Sequence, residues 1–213
     1  MTDGITWLAA PQSIAYGGYG VVLARGLTPD ELVARLARAT YDDRTPRPLG
    51  DLTSVELIEE LDDEYGGDVD DPALRVGQDG DWVYAVMYGL WQGEFEDLTP
   101  VSRDGAHVFH LEFEETNGKP VPPFFHYFHD DRHQCGFNLH LDGSWGSAGV
   151  DGDPEVASKV QDLLTAAGLP SEVIPQREVH RATLQILEAH FGLDLPRVRV
   201  LDDALPSVVL ETD

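Results

Sequence analysis

The stretch FFHYFHDDRHQCGFNLHL, residues 124–141, holds four of the chain's eight histidines, His126, His129, His133 and His140, and its only cysteine, Cys135. Imidazoles and a thiolate are zinc ligands, and they are also the parts of a cysteine nucleophile with its general base. Asp130-Asp131 reads as a two-residue hairpin turn. With that turn His129 opposes Arg132, Phe128 opposes His133 and His126 opposes Cys135. One face of the hairpin then carries Phe124, His126, Phe128, His133, Cys135, Phe137, Leu139 and Leu141, and its apolar majority turns it to the core. The candidate metal ligands are therefore His126, His133 and Cys135, a three-ligand set with a fourth position open. A one-residue slip in the turn would separate them.

That set matches neither HExxH nor paired CxxC, so its spacing alone does not define a metal site. Cys135 in mid-strand lacks the helix N-terminus or electropositive setting that stabilises a thiolate nucleophile. The competing account makes Cys135 a small buried hydrophobe, with His126 and His133 near the sheet end. No catalytic residue and no cofactor is assigned.

Other motifs carry less. Gly17-Gly18-Tyr19-Gly20 lacks the strand-then-helix context of a dinucleotide loop. Around Ser144 and Ser147 the GxSxG pattern fails. Asp68, Asp70 and Asp71 lack EF-hand spacing and its closing glutamate. Trp82, Tyr84, Tyr88 and Trp91 could line a groove or anchor a partner, with core packing as the default.

The elements that must position these residues follow from pattern. Residues 14–25 read as a strand. Thr28-Pro29-Asp30-Glu31 opens a helix running to Ala39, and Thr53 with Glu56 opens another. Residues 41–52 between them read as a loop. Residues 73–78 and 82–90 form strands joined at Asp79-Gly80, the second apolar on both faces and therefore central. Residues 94–98 suggest a short helix. Residues 106–115 alternate, with Phe109, Leu111 and Phe113 on one side and His110, Glu112 and Glu114 on the other. Asn117-Gly118 is a further turn signal. Helices start at Asp153-Pro154 and span residues 176–191, each stopped by a glycine; one or two short extended pieces follow. The expected fold is α+β: a single domain, residues 1–213, with a mostly antiparallel central sheet of about five to six strands. Helices at both chain ends pack on one face of that sheet.

Hydrophobic residues at 42% and charged residues at 25% allow a packed core without staples. One cysteine excludes an internal disulfide framework and fits a reducing cytoplasm. The opening MTDGITWLAAPQS has neither the basic nor the apolar part of a secretory signal. Net charge is −25, from 39 acidic against 14 basic residues. Such a surface repels phosphate backbones and anionic lipid, so no nucleic-acid and no membrane partner is expected. It suits capture of a basic protein partner, although solubility alone also explains it.

Two stretches carry a resemblance. VVLARGLTPDELVARLA, residues 21–37, and DWVYAVMYGLWQGE, residues 81–94, resemble an uncharacterised bacterial family, a domain of unknown function of high-GC Gram-positive bacteria. The first is similar to that family's strand, Arg-Gly-Leu and helix start. The second is similar to its tryptophan-containing strand before a Gly-Trp-x-Gly, which here reads Gly89-Leu90-Trp91-Gln92-Gly93. The resemblance implies a shared fold and a bacterial cytoplasmic setting, and it carries over no catalytic residues. The leading expectation is an acidic, non-enzymatic cytoplasmic protein that binds a basic protein partner, in the manner of an immunity protein or antitoxin. The alternative is a metal-binding protein or hydrolase using the His/Cys cluster.

Overall fold

Alternating apolar residues through the middle of the chain build one antiparallel sheet, and the chain returns to that sheet at its end. The computed structural model describes residues 3–14, 17–65, 71–88, 95, 97–115, 121–143, 149–171 and 173–212. Trp91 with the glycine–tryptophan segment, Asp68 and Asp70, Asn117-Gly118, and Ser144 and Ser147 lie outside the described residues. The short helix suggested at 94–98 is not found at its described residues 95, 97 and 98: Phe95 forms an isolated bridge with Thr40, and a 3-10 turn starts only at Thr99.

The strands are β1 (Gly18–Arg25), β2 (Thr45–Leu52), β3 (Ala73–Asp79), β4 (Trp82–Tyr88), β5 (His107–Glu114), β6 (Phe124–His129), β7 (His133–Asn138), β8 (Asp151–Gly152) and β9 (Leu205–Glu211). The helices are α1 (Pro29–Arg38), α2 (Ser54–Tyr65), α3 (Pro154–Ala166), α4 (Gln176–Phe191) and α5 (Arg197–Asp202). The sheet order is β2-β9-β3-β4-β1-β5-β6-β7-β8, with every neighbouring pair antiparallel. The fold is thus α+β, as expected, but the sheet has nine strands among the described residues rather than five or six.

The extra strands have physical causes. Most of the loop expected at 41–52 is strand β2, in spite of Pro46 and Pro48. It is an edge strand paired only with β9, and both prolines have the same parity, so their missing N–H groups face solvent. Gly50, at φ 92°, sits beside the irregularity that follows Pro48. β8 is two residues long and has no sequence signature. The tail returns as β9 into the sheet interior, between β2 and β3, so the chain closes on a strand.

Helices also cover both faces rather than one. Leu57 and Leu61 of α2, Val160 and Leu164 of α3, Val179, Leu184 and Leu187 of α4, and Val200 of α5 join the larger core on one face. Leu32, Leu36 and Ala37 of α1, with Leu98 and Val101, form a second core on the other. β4 lies between β3 and β1 and feeds both cores. Trp82, Tyr84, Val86 and Tyr88 enter the first, and Val83 and Ala85 the second. These tyrosines and Trp82 are therefore core side chains.

The caps are local and behave as their residue types dictate. Thr28 and Glu31 form the reciprocal capping box of α1. Thr53 and Glu56 exchange the same bonds at α2. Gly192, at φ 65°, ends α4 in the left-handed conformation that glycine adopts without strain. The β3–β4 strands pair through Asp79 with Trp82, so their turn residues are Gly80 and Asp81, one place later than the Asp79-Gly80 signal suggested.

One buried charge stands out. Arg75 of β3 is 0% exposed. Its Nε donates to Leu52 O at 3.0 Å, and its Nη1 donates to Val200 O at 2.7 Å and to Tyr88 Oη at 2.9 Å. Nη2 donates to Asp203 O. One guanidinium thereby ties the end of β2, α5 and its exit to the middle of the sheet.

Candidate functional site

The β6–β7 hairpin turns as its sequence dictates. Asp130 and Asp131 both adopt positive φ, 48° and 60°, the pair that a type I′ turn requires. His129 N donates to Arg132 O at 2.9 Å and Arg132 N donates to His129 O at 3.2 Å, and Phe128 opposes His133. The next step departs from the expected register. Tyr127 opposes Cys135 and His126 opposes Gly136, so Gln134 is an extra residue in a β-bulge.

That single residue reassigns the faces. Cys135 joins Phe125, Tyr127 and Phe137 in the larger core. His126 and His133 stay on the opposite face, with Phe128 of the second core. The structure therefore brings His126 and His133 together and sends Cys135 through the sheet, away from both. The face expected to meet the core in β6 is the other one: Phe125 and Tyr127 are the larger core's residues. Burial pushes the Cys135 thiol up to about 12, with the Asp151 carboxylate adding to the effect. A protonated, 0% exposed thiol is neither a nucleophile nor a ready metal ligand. Native protein is expected to react with a thiol-alkylating reagent at least a hundredfold more slowly than denaturant-unfolded protein, measured by mass spectrometry. Rapid labelling of the native chain would contradict this burial.

Cross-strand pairing adds residues to the histidine face that sequence alone did not join to it. Val22, His110, His126, Gly136 and Asp151 lie in one row across β1, β5, β6, β7 and β8. The His126 and His133 rings are 5.6 Å apart between centroids, with Nδ1 of His126 3.5 Å from Nε2 of His133. His110 stacks 6.5 Å from His126. Its Nε2 is buried without a hydrogen-bond partner among the described residues and lies 3.6 Å from Glu112 Oε2. Phe95 meets the His110 ring edge-on at 6.0 Å. Together with Asp97, Leu98, Thr99 and Phe128 these groups line a cleft of about 330 Å³.

The cleft is anionic at neutral pH. Burial holds His110 down to about 4, so its imidazole is uncharged. Burial does the same to His126, also to about 4, helped by its neighbours His110 and His133. Asp97 and Glu112 supply carboxylates, Phe95 and Phe128 supply aromatic walls, and no lysine or arginine is among the described lining residues. Among the described residues no group of three His, Cys, Asp or Glu side chains is arranged to hold a metal ion.

The remaining histidines serve the other face. His129 stacks on His107 at 3.9 Å, and His107 Nδ1 is 2.8 Å from Tyr127 Oη. His180 Nε2 is 2.8 Å from Tyr19 Oη, with His140 and Phe113 packed around it. Sequence alternation had already put His110 and Glu112 on one side of β5. What it lacked was the long-range pairing that sets that side beside His126.

Fold and site together define an α+β protein, a nine-stranded antiparallel sheet with an anionic, histidine-rich cleft on one face. The chain belongs to the family of unknown function DUF6461, whose sequence pattern matches residues 3–195. This is in keeping with the resemblance to an uncharacterised domain family. Comparison with curated proteins found no match, and comparison with solved structures found none. No helix among the described residues is long and apolar enough to cross a membrane.

Proposed function

We propose that this chain is a non-enzymatic binding protein that takes a basic protein partner, with the histidine cleft seating one of the partner's lysine or arginine side chains. The observation that carries this reading is the cleft's chemistry. Two carboxylates and two phenyl rings surround His110 and His126, whose imidazoles burial keeps uncharged, and no lysine or arginine is among the described lining residues. Organic cations are held by such aromatic walls and by carboxylates. The net charge of −25 would steer a basic partner toward the surface before it docks. Neutralisation of a basic toxin, as immunity proteins perform it, is the concrete form of this role. A bacterial cytoplasm is the setting we assign, where a chain with one buried free cysteine needs no disulfide.

Titration of metal-free protein with an arginine-rich peptide tests the reading by calorimetry. Binding at low salt that weakens more than tenfold between 50 and 300 mM NaCl supports it. Absence of binding at 50 mM NaCl would sink it.

A further inference from the structure

Gly136 leaves a space that two imidazole nitrogens face. A β-carbon at that position would lie 2.5 Å from His126 Nδ1 and 2.9 Å from His133 Nε2. Both nitrogens thus converge on the same volume above the Gly136 backbone. Their separation, 3.5 Å, is at the outer limit for a hydrogen bond, where N–H donors prefer about 2.9–3.0 Å. Two nitrogens bound to one tetrahedral zinc at ~2.0–2.1 Å sit about 3.3 Å apart. The observed spacing therefore suits a shared cation better than a shared proton. The ring centroids, 5.6 Å apart and inclined at 49°, keep the rings from stacking face to face.

A carboxylate stands beside this edge. Asp151 of β8 pairs directly with Gly136, so its side chain leaves the sheet on the same face, next to the space over the glycine. It is exposed and adjustable by rotamer. Among the described residues no third donor already converges on the pair. The arrangement is a two-nitrogen edge with an exposed carboxylate at its side.

We propose that His126 Nδ1 and His133 Nε2 chelate a divalent transition-metal ion over Gly136, with the Asp151 carboxylate turning in to join them. Imidazole with carboxylate suits zinc and cobalt. The Gln134 bulge is what makes the site, because it places a glycine rather than a cysteine opposite His126. The ligand set therefore excludes the thiol in the same hairpin.

Untagged protein stripped with EDTA and exchanged into chelator-free buffer should take up one Co²⁺ or Zn²⁺ per chain, read by calorimetry and by the visible absorption of Co²⁺. His126→Ala and His133→Ala should each weaken uptake at least tenfold, and Asp151→Asn a few-fold. Cys135→Ser should bind as the parent does, and the Co²⁺ complex should lack the near-ultraviolet thiolate charge-transfer band. Circular dichroism checks each variant's fold, and His133→Gln replaces any alanine variant that unfolds. No stoichiometric uptake, uptake indifferent to both histidine variants, or a thiolate band would each overturn the proposal. The peptide titration above uses metal-free protein, so the two readings fail separately.

Discussion

Replacing Arg75 by methionine is expected to lower unfolding stability by about 3–5 kcal/mol, the largest loss of any single substitution considered for this chain. Methionine fills much of the arginine's volume, so the effect isolates the lost hydrogen bonds. The guanidinium serves Leu52 O, Val200 O, Asp203 O and Tyr88 Oη, and Arg75 itself is fully buried. Without it the buried Val200 carbonyl and the partly buried carbonyls of Leu52 and Asp203 lose this donor, and each buried unsatisfied group costs about 1–3 kcal/mol. The charge itself is accommodated by carbonyl dipoles. Arg75→Lys should recover only part of the loss, since one ammonium cannot reproduce a planar fork aimed at separate elements. Urea denaturation at pH 7 measures both variants. A loss below 1 kcal/mol for Arg75→Met would show that the carbonyls find other partners.

Acid is expected to destabilise metal-free protein steeply between about pH 6.5 and pH 4. His110 and His126 are held down to about 4 and His180 to about 3, against an ordinary 6.5, with burial the leading cause for each. A histidine whose folded pKa lies below its unfolded value binds a proton more readily when unfolded. Its contribution is therefore fully present above about pH 6.5 and is lost as pH falls toward the folded value. By pH 4 each of the three forfeits about 3 kcal/mol, together comparable to the whole stability of a typical domain. Protonation of the surface carboxylates works in the opposite direction over the same range, because it relieves the self-repulsion of a chain at −25. The histidines are expected to win, since burial in the fold sets them while surface charge is screened by salt. His110→Gln should reduce the slope of the acid limb by about 1.4 kcal/mol per pH unit, one proton's worth. A stability that holds flat or rises from pH 7 to pH 5 would contradict this account of the three imidazoles.

What could be read from sequence was local. Thr28 with Glu31, Thr53 with Glu56, and the span from Gln176 to Gly192 are set by caps and by 3.6-residue periodicity within one element. The Asp130-Asp131 turn belongs here too. The long-range features were hidden. Pro46 and Pro48 look like a loop until an edge position explains them. Arg75 breaks the apolar pattern of β3, and its carbonyl partners lie as far away as Val200 and Asp203. The Gln134 bulge is set by Cys135 and Phe137 reaching the core beneath α3 and α4, which no hairpin rule anticipates. It changed a three-ligand expectation of His126, His133 and Cys135 into a pair of histidines with different neighbours. His110 and Glu112 join the site through the pairing of β5 with β6, and Asp97 joins it from the segment before Thr99.

The cleft's role as the seat of a basic side chain is tested most directly by charge-matched variants in one peptide titration. Asp97→Asn with Glu112→Gln removes two carboxylates from the cleft. Glu59→Gln with Glu60→Gln removes two exposed carboxylates of α2 that line no part of it. Both double variants carry the same net charge, so general attraction to an arginine-rich peptide changes equally. The account expects the cleft variant to bind at least tenfold more weakly than the α2 variant, in metal-free protein at low salt. Equal affinity for the two would show that the peptide is held by overall charge alone, and would contradict the cleft as the binding site.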